Sequence, residues 1–295
     1  MDLFRTQTIR QQVAISTIVI LLPIVAGAAW ASVRSRRERA AEVRQEAASV
    51  ASASAAYFDQ YIRGLDSLAS ALVQHPAVVS MQREECDRLF ATILHEQPLL
   101  LNIVLHAPDG AIRGSALPTD ASIPLSAVPH VPKVMATRHR VVGDLTVGAI
   151  TQKPTVRVGY PVRASGAIAG VLTFGLNLAS LQSTFAAIPL SEGSIVTLTN
   201  QNRLILARSR DADKYIGTTA DVPGPGETSS DQSLSRTDVD GVERVVASAT
   251  VHGGPWVMSV GVPASVIAAR LWPTWWRILA ITLAGTPTLI THGPP

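Results

Sequence analysis

Cysteine is almost absent: Cys86 is the single one in 295 residues, which excludes an internal disulfide and any multi-cysteine metal site. Charge is scarce as well. Asp, Glu, Lys and Arg make up 16% of the chain, and the formal net charge is only +3. No Lys/Arg run is interleaved with aromatics, so nucleic acid is not an expected partner. Phosphate-binding glycine loops, HExxH, CxxC and a GxSxG elbow are all missing. The seven histidines (His75, His95, His106, His130, His139, His252 and His292) are scattered. His130 and His139 share a stretch, but no carboxylate stands at a ligand spacing, so all seven read as solvated or hydrogen-bonded histidines. Cys86, in "REECDRLF", falls on an amphipathic helical pattern and reads as a buried structural thiol. No catalytic residue, metal site or cofactor emerges, and an enzyme is not expected.

Apolar residues are plentiful, at 47%, and they concentrate. Val13–Val33, "VAISTIVILLPIVAGAAWASV", is a run of about 21 residues without a charge, long enough at ~1.5 Å per residue to cross a bilayer. Pro23 is tolerable in a membrane helix. Arg5 and Arg10 before the run, and Ala29-Trp30-Ala31 within it, leave a cleaved signal peptide as the competing reading. A second segment, 271–290, opens on Trp272, Trp275 and Trp276, as at a membrane interface. Pro273, Arg277 and Pro287 make it a partial span. Arg34, Arg36, Arg37, Arg39 and Arg44 follow the first run, and a positive-inside count places the rest in the cytoplasm, although long domains translocate largely regardless of charge.

Beyond the first run the pattern stays helical. Val43, Ala47, Val50, Tyr57, Tyr61, Leu65, Leu68 and Leu72 fall on steps of three and four, with Ser54 in the gap, giving one apolar stripe. The pattern breaks at His75-Pro76. From Arg34 to Leu72 such a helix is roughly 60 Å long.

Next comes a repeat. "NIVLHAPDGAIRGSA" (102–116) and "SIVTLTNQNRLILARS" (194–209) are each strand, turn, strand. "VRVGYPVRASGAIAGVLTFGLNL" (156–178) turns at Ala164-Ser165-Gly166, and "VVASATVHGGPWVMSVGVP" (245–263) turns at Gly253-Gly254. "VLTFGLNLASLQ" (171–182) and "VMSVGVPASVIA" (257–268) match position for position, each running into a helix start. The spacing predicts two similar modules: hairpin, variable stretch, hairpin, helix. One hairpin is marginal in water, whereas several on one sheet covered by helices make a stable α+β unit.

Taken in order, "HPAV…CDRLFATIL", "NIVLHAPDG", "VVGDLTVGAITQKPTVRVGYPV…G…GVLTFGLNL", "SIVTLTNQNRLILAR…YIG" and "WVMSVGVP" resemble the double Cache domain. That is the extracytoplasmic sensor of many bacterial histidine kinases, diguanylate cyclases and chemoreceptors. The resemblance covers roughly 34–270. It implies an α+β fold: a long N-terminal helix continuing from a transmembrane segment, then two tandem PAS-like antiparallel-sheet modules. The expected divisions are a cytoplasmic N-terminus (1–12), a transmembrane helix (13–33), the long helix (34–75), a membrane-distal module (76–188), a membrane-proximal module (189–270) and the partial span (271–290). The resemblance also implies an outside location, a ligand pocket in the distal module and a homodimer through the long helix. Amino-acid-sensing members carry an Arg-x-Trp-Tyr run in the stretch corresponding to Pro129–Val134, and an aspartate near Gly175. Neither is here, so an amino acid held by the usual contacts is not implied. Full-length members continue into a cytoplasmic output module, and none follows in this chain.

Alternation points to a site. Val156, Val158, Tyr160 and Val162 share one face of their strand; Thr155, Arg157 and Gly159 share the other. On the returning strand Leu172, Phe174 and Leu176 oppose Thr173, Gly175 and Asn177. The apolar faces are expected on the long helix. The small polar face leaves room for a ligand, with Arg157 placed to hold an anion. The expected contacts are Arg157, Thr173 and Asn177, with Asp144 and, from the rim, Tyr160, under a lid made by 117–150. The competing reading is a solvated face with Arg157 as a surface charge. The function expected is small-molecule sensing by the input part of a membrane receptor, its partners a solute and the bilayer of the inner (plasma) membrane. The alternative is an anchored or secreted solute-binding or envelope protein without signalling.

Overall fold

Helix α1, Ile9–Leu72, runs 64 residues in the computed structural model, which describes residues 9–119, 123–222 and 235–269. Pro76 ends it: His75, the preceding residue, is extended at φ −66°, ψ 132°, and its Nδ1 accepts from the Ala77 N–H at 3.3 Å. That geometry is what a following proline enforces. Short helix α2 (Pro76–Val79) and helix α3 (Arg83–Glu96) follow. Among the described residues no helix is long and apolar enough to cross a membrane. Most side chains of 13–33, and all of 271–290, lie outside the described residues.

The buried stripe of α1 is not the one expected in its middle. Ala51, Ala55, Phe58, Ile62, Leu65, Ala69 and Leu72 are buried, a strict four–three alternation that keeps one seam inward. Val43, Ala47, Ser54, Leu65 and Leu72 belong to the expected stripe and are buried. Tyr57, also expected inside, is 54% exposed. The seam turns on small alanines there, because Phe58 rather than Tyr57 meets Trp256, ring to ring at 5.3 Å.

Residues Ala47–Ala264 form one compact unit that holds two sheets. The first comprises β1 (Leu100–His106), β2 (Ile112–Ser115), β3 (Val141–Val147), β4 (Pro154–Ala164) and β5 (Ala167–Leu176), in the order β2-β1-β5-β4-β3. A 3₁₀ turn (Leu125–Ala127) and helix α4 (His130–Thr137) precede β3, and helix α5 (Leu178–Ala186) follows β5. The second sheet comprises β6 (Ile195–Asn200), β7 (Ile205–Arg208), β8 (Ser235–Thr237), β9 (Glu243–Val251) and β10 (Trp256–Pro263), in the order β7-β6-β10-β9-β8. Short helix α6 (Ala212–Tyr215) follows β7, and α7 (Ala264–Ala269) follows β10. All pairings are antiparallel. The topologies are identical, so the repeated hairpins mark a repeated fold.

Local chemistry explains the hairpins. Ser165 and Gly166, at φ 51° and 82°, make the two-residue β4–β5 turn, the left-handed pair that matches strand twist. Cys86 and Phe90 of α3 are buried; a Cβ at Gly114 on β2 would stand 2.5 Å from the Cys86 Cβ, so α3 lies directly on that strand. The Cys86 thiol donates to the Ala77 carbonyl at 3.3 Å, and burial pushes its pKa up to about 11.

The two sheets and the end of α1 are tied by a small polar cluster. Asp59 Oδ1 accepts from the Gly253 N–H at 2.6 Å. Arg140 donates to the Gly253 carbonyl at 2.6 Å and pairs with Asp66 at 2.9 Å. Asp66 also accepts from the Tyr160 hydroxyl at 2.8 Å.

Candidate functional site

The polar face of the first sheet is buried, not solvated. Thr155, Arg157 and Thr173 are 2%, 8% and 3% exposed, because the 3₁₀ turn, α4 and the loop after β3 lie across them. Arg157 is therefore no surface charge, and the solvated-face reading is overturned. Register assembles the face from three neighbouring strands. Gly175 pairs with Asn102 on one side and Arg157 on the other; Thr173 pairs with Val104 and with Gly159. Alternation carries the same face along β1 to His106.

Above these strands lies a cavity of about 50 Å³. Asn102, His106, Thr155, Arg157 and Thr173 supply its polar wall; Leu101, Val104, Ile123, Val128 and Ile150 supply the apolar one. The cover is held from below. Arg157 Nη1 donates to the Ala127 carbonyl at 2.9 Å and Nη2 to the Val147 carbonyl at 3.2 Å. One guanidinium thus ties the 3₁₀ turn and the end of β3 to the floor. Helix α4 sits close because β4 has a glycine beneath it: a Cβ at Gly159 would stand 2.9 Å from Val134 Cγ2 and 3.2 Å from His130 Cδ2.

One histidine, His106, lines this wall, and a second, His130, backs it through Thr173. His130 Nε2 lies 2.9 Å from the Thr173 hydroxyl. His106 Nδ1 lies 3.2 Å from the Gly110 carbonyl; a carbonyl only accepts, so Nδ1 carries the proton. The rings meet edge to face at 6.0 Å. Burial, chiefly, pushes His106 down to about 4, with the Arg157 charge adding to it and the Gly110 hydrogen bond opposing. Burial pushes His130 down to about 3, aided by His106, Arg157 and Lys133. Both are neutral near pH 7. Burial also lowers the Arg157 pKa, and among the described residues no carboxylate pairs with it. No group of three or more His, Cys, Asp or Glu converges as metal ligands among the described residues.

Of the five residues expected at the site, the structure places Arg157 and Thr173 on the cavity wall. The other three require correction. Tyr160 points to the opposite face, stacked 5.4 Å from Phe174 with its hydroxyl on Asp66; its parity with Val158 and Val162 demands this. Asp144 lies within a register shift between Val142 and Leu145, is 65% exposed on its side chain, and faces Lys133 at 3.8 Å. Asn177 stands past the end of β5, where its side chain accepts from the Ser180 N–H at 3.2 Å and caps α5. Asn102, His106 and Thr155 are not among the expected contacts, although extending the alternation to β1 and back along β4 finds all three.

No curated protein sequence matches the chain at a significant level. Solved structures share its fold at low identity. The ligand-binding domain of the Pseudomonas fluorescens chemoreceptor CtaA, in complex with L-isoleucine, is 15% identical with a TM-score of 0.60, over 80% of this chain and 96% of that one. The ligand-binding domain of the Pseudomonas aeruginosa PAO1 amino acid chemoreceptor PctC, in complex with GABA, is 17% identical with a TM-score of 0.56, over 75% and 99%. The extracellular domain of rpHK1S-Z16, described as a histidine kinase, is 14% identical with a TM-score of 0.58, over 76% and 94%. The Cache domain family model of the dCache_1 type matches residues 33–271, and with a long helix leading into two sheets of one topology, this chain belongs to the Cache domain family.

Proposed function

We propose that this chain is the extracytoplasmic input part of a membrane-anchored receptor of the kinase or cyclase type, and that a small solute binds in the cavity over β1, β4 and β5. The observation that carries this reading is the buried polar wall of Arg157, Thr173, Asn102 and His106 facing a cavity under a tethered cover. The solved relatives support it, since CtaA and PctC are chemoreceptor domains with small ligands bound. In this reading 13–33 anchors the chain in the inner membrane and 271–290 begins a second span. Residues 76–188 form the membrane-distal module and 189–270 the proximal one. A homodimer through α1 is supported by the open groove along Tyr57, Tyr61 and Leu68.

Signalling requires that the solute bind two arrangements of the protein with different affinity. The polar cluster offers a route. Arg140 immediately precedes β3, whose far end Arg157 holds, and it also grips the Gly253 hairpin of the second sheet. A panel of small solutes tested by thermal shift on the full chain in detergent checks the site. A solute at a hundred times its Kd stabilises by about 2.7 kcal/mol, or about 5–10 °C for a unit this size. Gly175→Leu, which fills the cavity, should abolish the shift; a shift that survives it places the solute elsewhere.

A further inference from the structure

The second sheet is an internal control for the first. The match of Gly175 to Gly261 pairs the polar face of β4 with that of β9: Gly175 pairs with Arg157, and Gly261 with Val246. Val246 belongs to an apolar cluster with Ile205, Tyr215, Ala220 and Val222. The second sheet buries two guanidiniums, Arg208 and Arg244, and both are answered by carboxylates of the chain itself. Arg208 meets Asp238 and Asp240 at 2.9 Å each; Arg244 meets them at 3.1 and 2.6 Å. A buried guanidinium without such a partner is strongly disfavoured. Arg157, also buried, has only two carbonyls, and no carboxylate lines its cavity among the described residues. The Thr151 hydroxyl, on the same wall, is shut from solvent without a hydrogen-bond partner.

From this contrast we propose that the solute is a small carboxylate carrying no ammonium group, its anionic head on Arg157 and its short carbon chain against Val104, Ile123, Val128 and Ile150. This inference rests on the sensor reading above and names its ligand class. With His106 and His130 neutral, the wall offers one positive charge and nothing to balance a cation. The cavity of about 50 Å³ holds about three to five water-sized groups at ~10–15 Å³ each, which suits acids of two or three carbons. The apolar half of the wall favours a carbon chain over a fully hydrated inorganic anion.

The test is calorimetric titration of the full chain in detergent with propionate, propionamide, propylamine, alanine and phosphate. Propionate should bind. Propionamide, propylamine and alanine should bind at least about tenfold more weakly, and Arg157→Gln should weaken propionate by about tenfold to a hundredfold, the range for a charge-assisted pair. Arg157→Gln also frees the cover, so Gly175→Val serves as the second variant. It fills the cavity, leaves the Arg157 contacts to Ala127 and Val147 alone, and should abolish propionate binding. Equal binding of alanine or propylamine overturns the inference, as does equal binding of phosphate or propionate binding that survives both variants. An amine or neutral solute lost on Gly175→Val overturns the carboxylate class while leaving the sensor site standing. Solute binding that ignores Gly175→Leu overturns the site itself.

Discussion

The two neutral histidines make an acid-sensitive buried pair, and the size of the effect follows from their positions. His106 is held down to about 4 and His130 to about 3, chiefly by burial, against 6.5 for an exposed histidine. A folded-state pKa below the unfolded value means that the unfolded chain takes up protons first as pH falls. The stability these groups contribute is therefore present above pH 6.5 and is lost as pH drops from 6.5 toward 4 and 3. Between pH 7.5 and pH 5 each histidine gives up about 2 kcal/mol, so the pair gives up about 4 kcal/mol. In a unit of this size that is about 8–16 °C of melting temperature. The perturbation is His106→Gln with His130→Gln, neither of which titrates. Urea unfolding followed by circular dichroism at pH 7.5, 6.5, 5.5 and 5 gives stability against pH for parent and variant. Carboxylates contribute alike to both curves, so the difference in slope isolates the histidines, whatever the double substitution costs at pH 7.5. Parallel curves between pH 6.5 and 5 would refute the reasoning.

Other packed contacts give further expectations. Asp59→Ala strands the half-buried Gly253 N–H, now bonded to a carboxylate at 2.6 Å, and should lower stability by about 1–3 kcal/mol in urea unfolding; an unchanged midpoint contradicts the tie between α1 and the second sheet. Asp238→Asn removes a partner of both Arg208 and Arg244 and should cost about 3–5 kcal/mol by the same assay, as for a broken buried ion pair. Gly159→Val drives a side chain into Val134, whose Cγ2 would stand only 2.9 Å from even a bare Cβ at that position; the expected loss is about 1–3 kcal/mol, partly restored by adding Val134→Ala. Phe58→Ala opens space beside Trp256 and should cost about 3–5 kcal/mol, with a red shift of tryptophan emission; no shift means the two rings do not share a core.

Much of the architecture was legible because local signals and repetition agreed. Ala164-Ser165-Gly166 announced a turn, and two strand–helix junctions of one pattern announced a repeated unit. Period-two alternation assigned Arg157 and Thr173 to the face that lines the cavity. The failures have identifiable causes. In the middle of α1 the seam runs over Ala51 and Ala55, whose small side chains bury little area, while the larger Tyr57 ends in a hydroxyl suited to a surface and lies exposed. Asp144 was misplaced because a strand irregularity changes which face a residue serves, and nothing local marks it. Asn177 shares the parity of Thr173, but β5 ends at Leu176 and its side chain turns to capping. Tyr160 was placed against its own parity. The cover was the least legible part: that α4 would lie on Gly159, and that Arg157 would reach Ala127 and Val147, depends on contacts between segments 10 to 30 residues apart in sequence.

One topology used twice explains how a site arises without any motif to announce it. In the second sheet the inward space is filled: Val246 packs into an apolar cluster, and Asp238 and Asp240 neutralise Arg208 and Arg244 within the chain. That arrangement pairs its charges within the chain. In the first sheet Gly175 leaves room, and the guanidinium at the centre lacks a carboxylate among the described residues. An unmatched buried charge lowers the stability of the cover that Arg157 itself holds. An anion of the class proposed above would remove that penalty. In the proposed reading, the uncompensated charge of the first module is what an anion would relieve, whereas the paired charges of the second leave no such role for one.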